Sequence, residues 1–216
     1  FEKEVLEVGY PRNDIFYKPE RNEIVKRVKH RLNLPEDKKI ILYAPTFRDN
    51  QTSKNNKFTF EIKMNLNKMK EELGDQYIIL LRLHVVVSSK LTIDETLEDF
   101  AYNVSDYPDI QELMLVSDML ITDYSSVFFD YANTGNPILF FTYDLEEYRD
   151  NLRGFYMDFE NEAPGPLVYN TDEIIDSIKN IEEIKEKFEI KYKKFKETYC
   201  PLEDGNASKR VVDRVF

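Results

Sequence analysis

Short apolar strands alternating with amphipathic helices predict an α/β fold, a Rossmann-like parallel sheet with helices on both faces. Three observations carry that prediction. Compact runs such as Ile40–Tyr43, Tyr77–Leu83, Met119–Thr122 and Ile138–Phe141 are apolar throughout, as strands buried on both faces are. Segments with helical spacing of apolar residues lie between them. The residues able to hold a ligand gather just after the strand-forming runs, where open α/β sheets bind their ligands.

The elements follow in order. Gly9 to Asp14 is turn-rich. Glu20 to Leu34 places Ile24, Val25, Val28 and Leu32 on one face and stops before Pro35, so it predicts an amphipathic helix. Lys39 to Tyr43 is a strand halted by Ala44-Pro45-Thr46, and Asp49 to Lys57 is a polar loop. Glu61 to Leu73 is a second helix, ended by Gly74. Tyr77 to Leu83 is a strand that delivers His84 at its carboxyl end, and Phe100 to Val104 is a further short strand. A helix through Leu113 and Leu115 precedes the Met119 strand and the Val127 helix. Pro137 to Thr142 is the next strand, Asp144 to Asp150 a short helix, and Asn161 to Pro166 a loop. Three helices close the chain, near Thr171–Ile181, Ile184–Tyr199 and Ala207–Val215.

Composition narrows the function. The 216 residues are enough for one large α/β domain with a full core. A net charge of -11, from 30 Lys+Arg against 41 Asp+Glu, argues against general nucleic-acid binding, which relies on a basic face. An anionic ligand would need a locally positive pocket. Cys200 stands alone, so no internal disulfide forms, and with two histidines it makes no metal-ligand set. No apolar run approaches the length of a membrane span. The chain opens on Phe1 without a leader pattern, which is read as an excised part of a longer polypeptide. The mixed Lys and Glu of Lys179 to Lys196 fit a solvated helix face, with a membrane surface as the alternative.

The most informative stretch is Asp118 to Asp130, a strand that empties into a helix through Asp123, Tyr124, Ser125 and Ser126. The first N–H groups of a helix have no intrahelical acceptor and sit at its positive end, so a phosphate is a natural guest. Two hydroxyls add donors. Serine is also a favoured N-cap, so capping alone is the competing account.

At this point several motifs line up. Gly9-Tyr-Pro-Arg-Asn-Asp14, Ile41-Leu-Tyr-Ala-Pro-Thr-Phe-Arg48, Arg82-Leu-His84, Tyr107-Pro-Asp109, Leu120-Ile-Thr-Asp-Tyr-Ser-Ser126, Arg153-Gly-Phe-Tyr156, Pro164-Gly-Pro166 and Asp204-Gly-Asn-Ala-Ser208 occur in one order, nearly end to end. In that order the chain resembles the C-terminal half of the CDP-glycerol glycerophosphotransferases, the bacterial enzymes that prime or polymerise teichoic acid. The resemblance implies a GT-B architecture, with residues 1–216 as a single nucleotide-donor-binding domain and the N-terminal acceptor domain, with its histidine base, lying elsewhere. It implies transfer of glycerol phosphate from CDP-glycerol to a hydroxyl of a lipid-linked or polymeric acceptor. It also implies a peripheral location on the cytoplasmic face of the bacterial membrane, with no cofactor, no metal and no nucleic acid.

The reaction is attack by an alcohol on the β-phosphorus of a diphosphate, so alignment and charge stabilisation dominate. His84 is the catalytic candidate, bonding the diphosphate and stabilising the departing CMP, with an ordinary structural histidine as the alternative. Arg82 shares a strand face with His84 and adds positive charge, or makes an ion pair. Thr46, Arg48, Ser125 and Ser126 are candidate donor ligands at strand ends. Asp123 and Asp130 are expected to orient the loop or bond the ribose and base. Arg153-Gly154 and Pro164-Gly165 are candidate closing loops, or ordinary turns. His30 reads as a solvated surface residue. The rivals are a nucleotide-sugar domain of a GT-B glycosyltransferase or epimerase, and a non-catalytic nucleotide-binding or docking module.

Overall fold

The computed structural model describes residues 5–46, 62–83 and 93–216. Its centre is a sheet of six parallel strands: β1 Lys39–Tyr43, β2 Tyr77–Leu81, β3 Ala101–Asn103, β4 Met119–Thr122, β5 Ile138–Phe141 and β6 Leu167–Val168. Their order is β3-β2-β1-β4-β5-β6. Side chains alternate across each strand, so Ile40, Leu42, Ile78, Leu80, Leu120, Ile138 and Phe140 share one face while Ile41, Tyr43, Ile79, Leu81, Met119, Ile121, Leu139 and Phe141 share the other. Both faces are buried, which explains why the strands read as unbroken apolar runs.

The helices are α1 Arg21–Leu32, α2 Leu66–Leu73, α3 Ile110–Val116, α4 Val127–Tyr131, α5 Leu145–Glu147, α6 Phe159–Glu162, α7 Thr171–Lys179, α8 Ile181–Tyr199 and α9 Ala207–Val215. Residues from α1, α3, α4, α6 and α8 pack on the first face; those from α2 and α7 pack on the second. Caps set several boundaries. Asn65, Asp109 and Asn170 side chains accept from backbone N–H groups in the first turns of α2, α3 and α7. Helix α1 ends where Asn33 turns left-handed, at φ 52°.

The strand expectations hold for β1, β4 and β5, while β2 ends at Leu81 and β3 is trimmed to Ala101–Asn103. The Asp144–Asp150 segment is a short α turn followed by a π turn at Tyr148–Leu152. The turn-rich start at Gly9 leads into a 3-10 helix, Pro11–Tyr17.

That 3-10 helix ties the two ends of the fold together. The buried Asp14 carboxylate accepts from Ala207 N at 2.9 Å and Ser208 N at 2.8 Å, capping α9 in place of Asn206, whose side chain makes no cap bond. Arg210 reaches back from α9 to Val8 O at 2.9 Å. Burial works against ionised Asp14, but hydrogen bonds from Ser208 and Ala207, with Arg210 nearby, outweigh it and hold the carboxyl below its usual range. A lowered folded-state pKa stabilises above the unfolded value and loses that contribution as pH falls through the folded one. Asp14→Ala should therefore cost about 1–2 kcal/mol at neutral pH. The gap in melting temperature from wild type should narrow below about pH 4. A gap that is constant from pH 7 to pH 2 would contradict this assignment.

Candidate functional site

Strand order reverses between β1 and β4: from β1 the chain proceeds outward to β2 and β3, and from β4 outward to β5 and β6. Such a reversal opens a crevice beyond the carboxyl ends of the two strands. Here those ends are Ala44-Pro45-Thr46 and Asp123-Tyr124-Ser125-Ser126. Asp123, only 2% exposed, holds them together. Its Oδ1 accepts from Thr46 N at 2.8 Å and from Ser125 N at 3.2 Å. Thr122 Oγ1 donates to Ala44 O at 2.7 Å, a second tie across the same pair of strands.

Ser126 stands at the start of α4 with helical backbone angles, φ −57° and ψ −7°, and its side chain makes no capping bond. It is exposed. The capping account therefore fails for Ser126, whose hydroxyl faces the crevice side of the turn together with the unbonded first N–H groups of α4. Asp123 is the loop-orienting carboxylate that the sequence suggested.

Beside the serines lies an aromatic cavity of about 550 Å³, lined by Tyr124, Ser126, Tyr148, Arg153, Gly154 and Phe155 among others. Tyr124 stacks on Tyr148 with ring centroids 4.0 Å apart, and its hydroxyl donates to Asp144 Oδ1 at 3.0 Å. The Arg153-Gly154 loop thus does reach the serine site; Gly154 adopts φ 67°, a conformation that favours glycine. Tyr148 and Asp144 were not candidates from sequence, because a partner for Tyr124 across that distance leaves no local signal.

Three sequence candidates have other employment. The Asp130 carboxylate receives Arg12 Nε at 3.0 Å, Arg12 Nη2 at 3.2 Å and Asn13 Nδ2 at 2.9 Å. It anchors the Pro11–Tyr17 segment against α4, and a ribose or base is not its partner. Arg82 Nη1 donates to Val104 O at 3.2 Å, to Tyr107 O at 2.8 Å and to Ser105 O, so it braces the turn after β3. Pro164 and Gly165 do not close over the serines. They precede β6 and lie against the start of β5, at the amino edge of the sheet. A Cβ on Gly165 would sit 1.9 Å from Ile138 O, so close backbone approach is what requires glycine there. His84 and Arg48 lie outside the described residues.

The remaining reactive groups point elsewhere. Burial, aided by Glu203, pushes the Cys200 thiol up to about 11, which leaves it a poor nucleophile. Among the described residues no group of three His, Cys, Asp or Glu side chains is arranged to hold a metal ion. A larger groove of about 670 Å³ runs between α8 and the Pro164-Gly165 turn, at the opposite edge of the sheet from the serines. Among the described residues no helix is long and apolar enough to cross a membrane.

The strand order and the serine-bearing switch point define the class: a Rossmann-like α/β domain of GT-B type. The chain belongs to the CDP-Glycerol:Poly(glycerophosphate) glycerophosphotransferase family, whose model matches residues 1–216. It is 49% identical over 216 residues to a teichoic acid poly(glycerol phosphate) polymerase of Bacillus subtilis (strain 168), covering 100% of this chain and 29% of that protein. It is 44% identical over 213 residues to a teichoic acid glycerol-phosphate transferase of Staphylococcus aureus (strain NCTC 8325 / PS 47), covering 98% of this chain and 54% of that one. The solved wall teichoic acid polymerase TagF superposes with a TM-score of 0.89 at 42% identity, over 96% of this chain and 51% of that chain. A variant of the same polymerase soaked with CDPG gives a TM-score of 0.88 at 42% identity, over 96% of this chain and 50% of that chain. The chain thus spans about half or less of these relatives.

Gly165→Ala should lower the melting temperature sharply, because the new methyl must displace the start of β5. Overpacking of this kind costs about 1–3 kcal/mol or more. An unchanged melt would contradict the placement of that turn.

Proposed function

We propose that this chain is the donor-binding half of an enzyme that transfers glycerol phosphate from CDP-glycerol to a hydroxyl of a glycerol-phosphate acceptor, releasing CMP. The observation that carries this reading is the switch point itself, where Asp123 fixes the Thr46 and Ser125 amides and an uncapped Ser126 hydroxyl sits at a helix start. The family membership supplies the chemistry that such a site fits.

In this mechanism an acceptor oxygen attacks the β-phosphorus while the bond to the CMP oxygen breaks, and the acceptor proton passes to a base outside this chain. The phosphoryl oxygens take hydrogen bonds from Ser126 and the first amides of α4, a preorganised set that needs no rearrangement as charge shifts. Thr46 belongs to the opposite wall. His84, at the end of the β2 run, neutralises charge on the departing CMP, and Arg48 supplies positive charge to the same diphosphate. Arg153 approaches from the aromatic side. The acceptor, lipid-linked or polymeric, is bound by the rest of the enzyme, at the cytoplasmic face of the membrane. Without that partner half the chain binds donor and turns nothing over, because proximity of the two reactants is missing.

Calorimetric titration of the chain with CDP-glycerol, CMP and a UDP-sugar tests the reading, together with kinetics of the full-length enzyme. CDP-glycerol and CMP should bind and the UDP-sugar should not. His84→Ala should reduce full-length turnover roughly 10²- to 10³-fold, the range for loss of one charge-stabilising donor. Ser126→Ala should cost less, since the helix-end amides remain. Wild-type turnover in the His84→Ala enzyme, or preferential UDP-sugar binding, would overturn it.

A further inference from the structure

We propose that Thr142, with Asp144, forms the subsite for the polyol portion of the donor, resting on the reading of the chain as a donor-binding half. Thr142 follows β5 and its side chain is fully buried, yet its Oγ1 has no hydrogen-bond partner among the described residues. A buried hydroxyl left without a partner is disfavoured, and valine would fill the same β-branched space without that penalty. The backbone around it is in order: Thr142 N donates to Val168 O at 2.8 Å, and Leu145 N donates to Thr142 O at 3.2 Å. The unsatisfied group is therefore the hydroxyl alone, which a single χ1 step can reorient without moving the strand.

Thr142 lines a cavity of about 660 Å³ at the carboxyl edge of β5 and β6, bordered also by Tyr143, Asp144, Glu147, Arg149 and Tyr169. Its chemistry suits hydroxyls rather than phosphate. Carboxylates dominate the rim, and the one arginine among those residues is bound to Asp150 at 2.8 and 3.0 Å and to Glu160 at 2.9 Å. Asp144 is fixed by the Tyr124 hydroxyl at 3.0 Å, so one of its oxygens is positioned by the same loop that carries the serines.

The location is right for a substituent on a phosphate held at Ser126. Thr122 pairs with Phe140, so Thr142 continues level with Tyr124, one strand over. Neighbouring strands are about 4.8 Å apart. A three-carbon polyol esterified to the phosphate at Ser126 spans that separation, whereas CMP, which has no polyol, makes no use of this cavity. Thr142 is thus a specificity-determining residue, paired with a stability cost at the empty hydroxyl of the kind binding sites carry.

The test titrates wild-type, Thr142→Val and Thr142→Ser chains with CDP-glycerol and with CMP, and records their thermal melts. Thr142→Val should bind CDP-glycerol about three- to tenfold more weakly, the worth of one hydrogen bond, with CMP affinity unchanged. It should melt at the wild-type temperature or above. Thr142→Ser, which keeps the hydroxyl, should retain CDP-glycerol affinity. Equal weakening of both ligands by Thr142→Val, or no weakening of either, would overturn the polyol subsite while leaving the donor-binding reading intact. A wild-type chain that binds neither ligand would overturn both.

Discussion

The Asp123 carboxylate is the interaction on which the rest of the site depends. It is buried between two strand ends that are adjacent in space and far apart in sequence, and one of its oxygens receives an amide from each. A charge-assisted bond to backbone N–H is roughly twice as strong as a neutral one. Placed here, it makes the Thr46 wall and the Ser125 turn parts of one rigid crevice. The Thr122 hydroxyl reinforces the tie from below. Everything proposed for the donor, from the phosphate at Ser126 to the polyol beside Thr142, takes its geometry from that bracket.

The acidic balance of the chain shapes how an anion is recognised. With a net charge of -11 the domain has no broad positive field to attract a diphosphate. Arg12 is bound to Asp130, Arg210 to Asp204, and Arg82 Nη1 to backbone carbonyls. Recognition at the described part of the site accordingly falls to amides and hydroxyls, which bind a phosphate at short range and are indifferent to the charge of the domain as a whole. A local constellation, not a basic surface, is what this fold builds.

Much of the sheet was legible because β1, β4 and β5 are buried on both faces and leave continuous apolar runs such as Ile138-Leu-Phe-Phe141. The two-residue strand β6 was not, since Leu167-Val168 is too short to carry periodicity and gains its place only by pairing with Phe140 and Phe141. The serine turn was recognisable as a strand running into a helix. The roles of Asp130 and Arg82 were not, because a charge in a sequence does not disclose whether its partner is a ligand or another part of the chain. Asp130 meets residues more than a hundred positions upstream. The same blindness hid Thr142: its distinguishing property is a missing partner, which only three-dimensional structure exposes.

The most direct measurement of the central claim is a crystal structure of the chain with CMP. The phosphate should lie about 3 Å from the Ser126 hydroxyl and the first amides of α4, a normal hydrogen-bond distance. Asp123 should still bridge Thr46 and Ser125. A phosphate bound instead in the groove between α8 and the Pro164-Gly165 turn, with the serine crevice holding only solvent, would contradict the account.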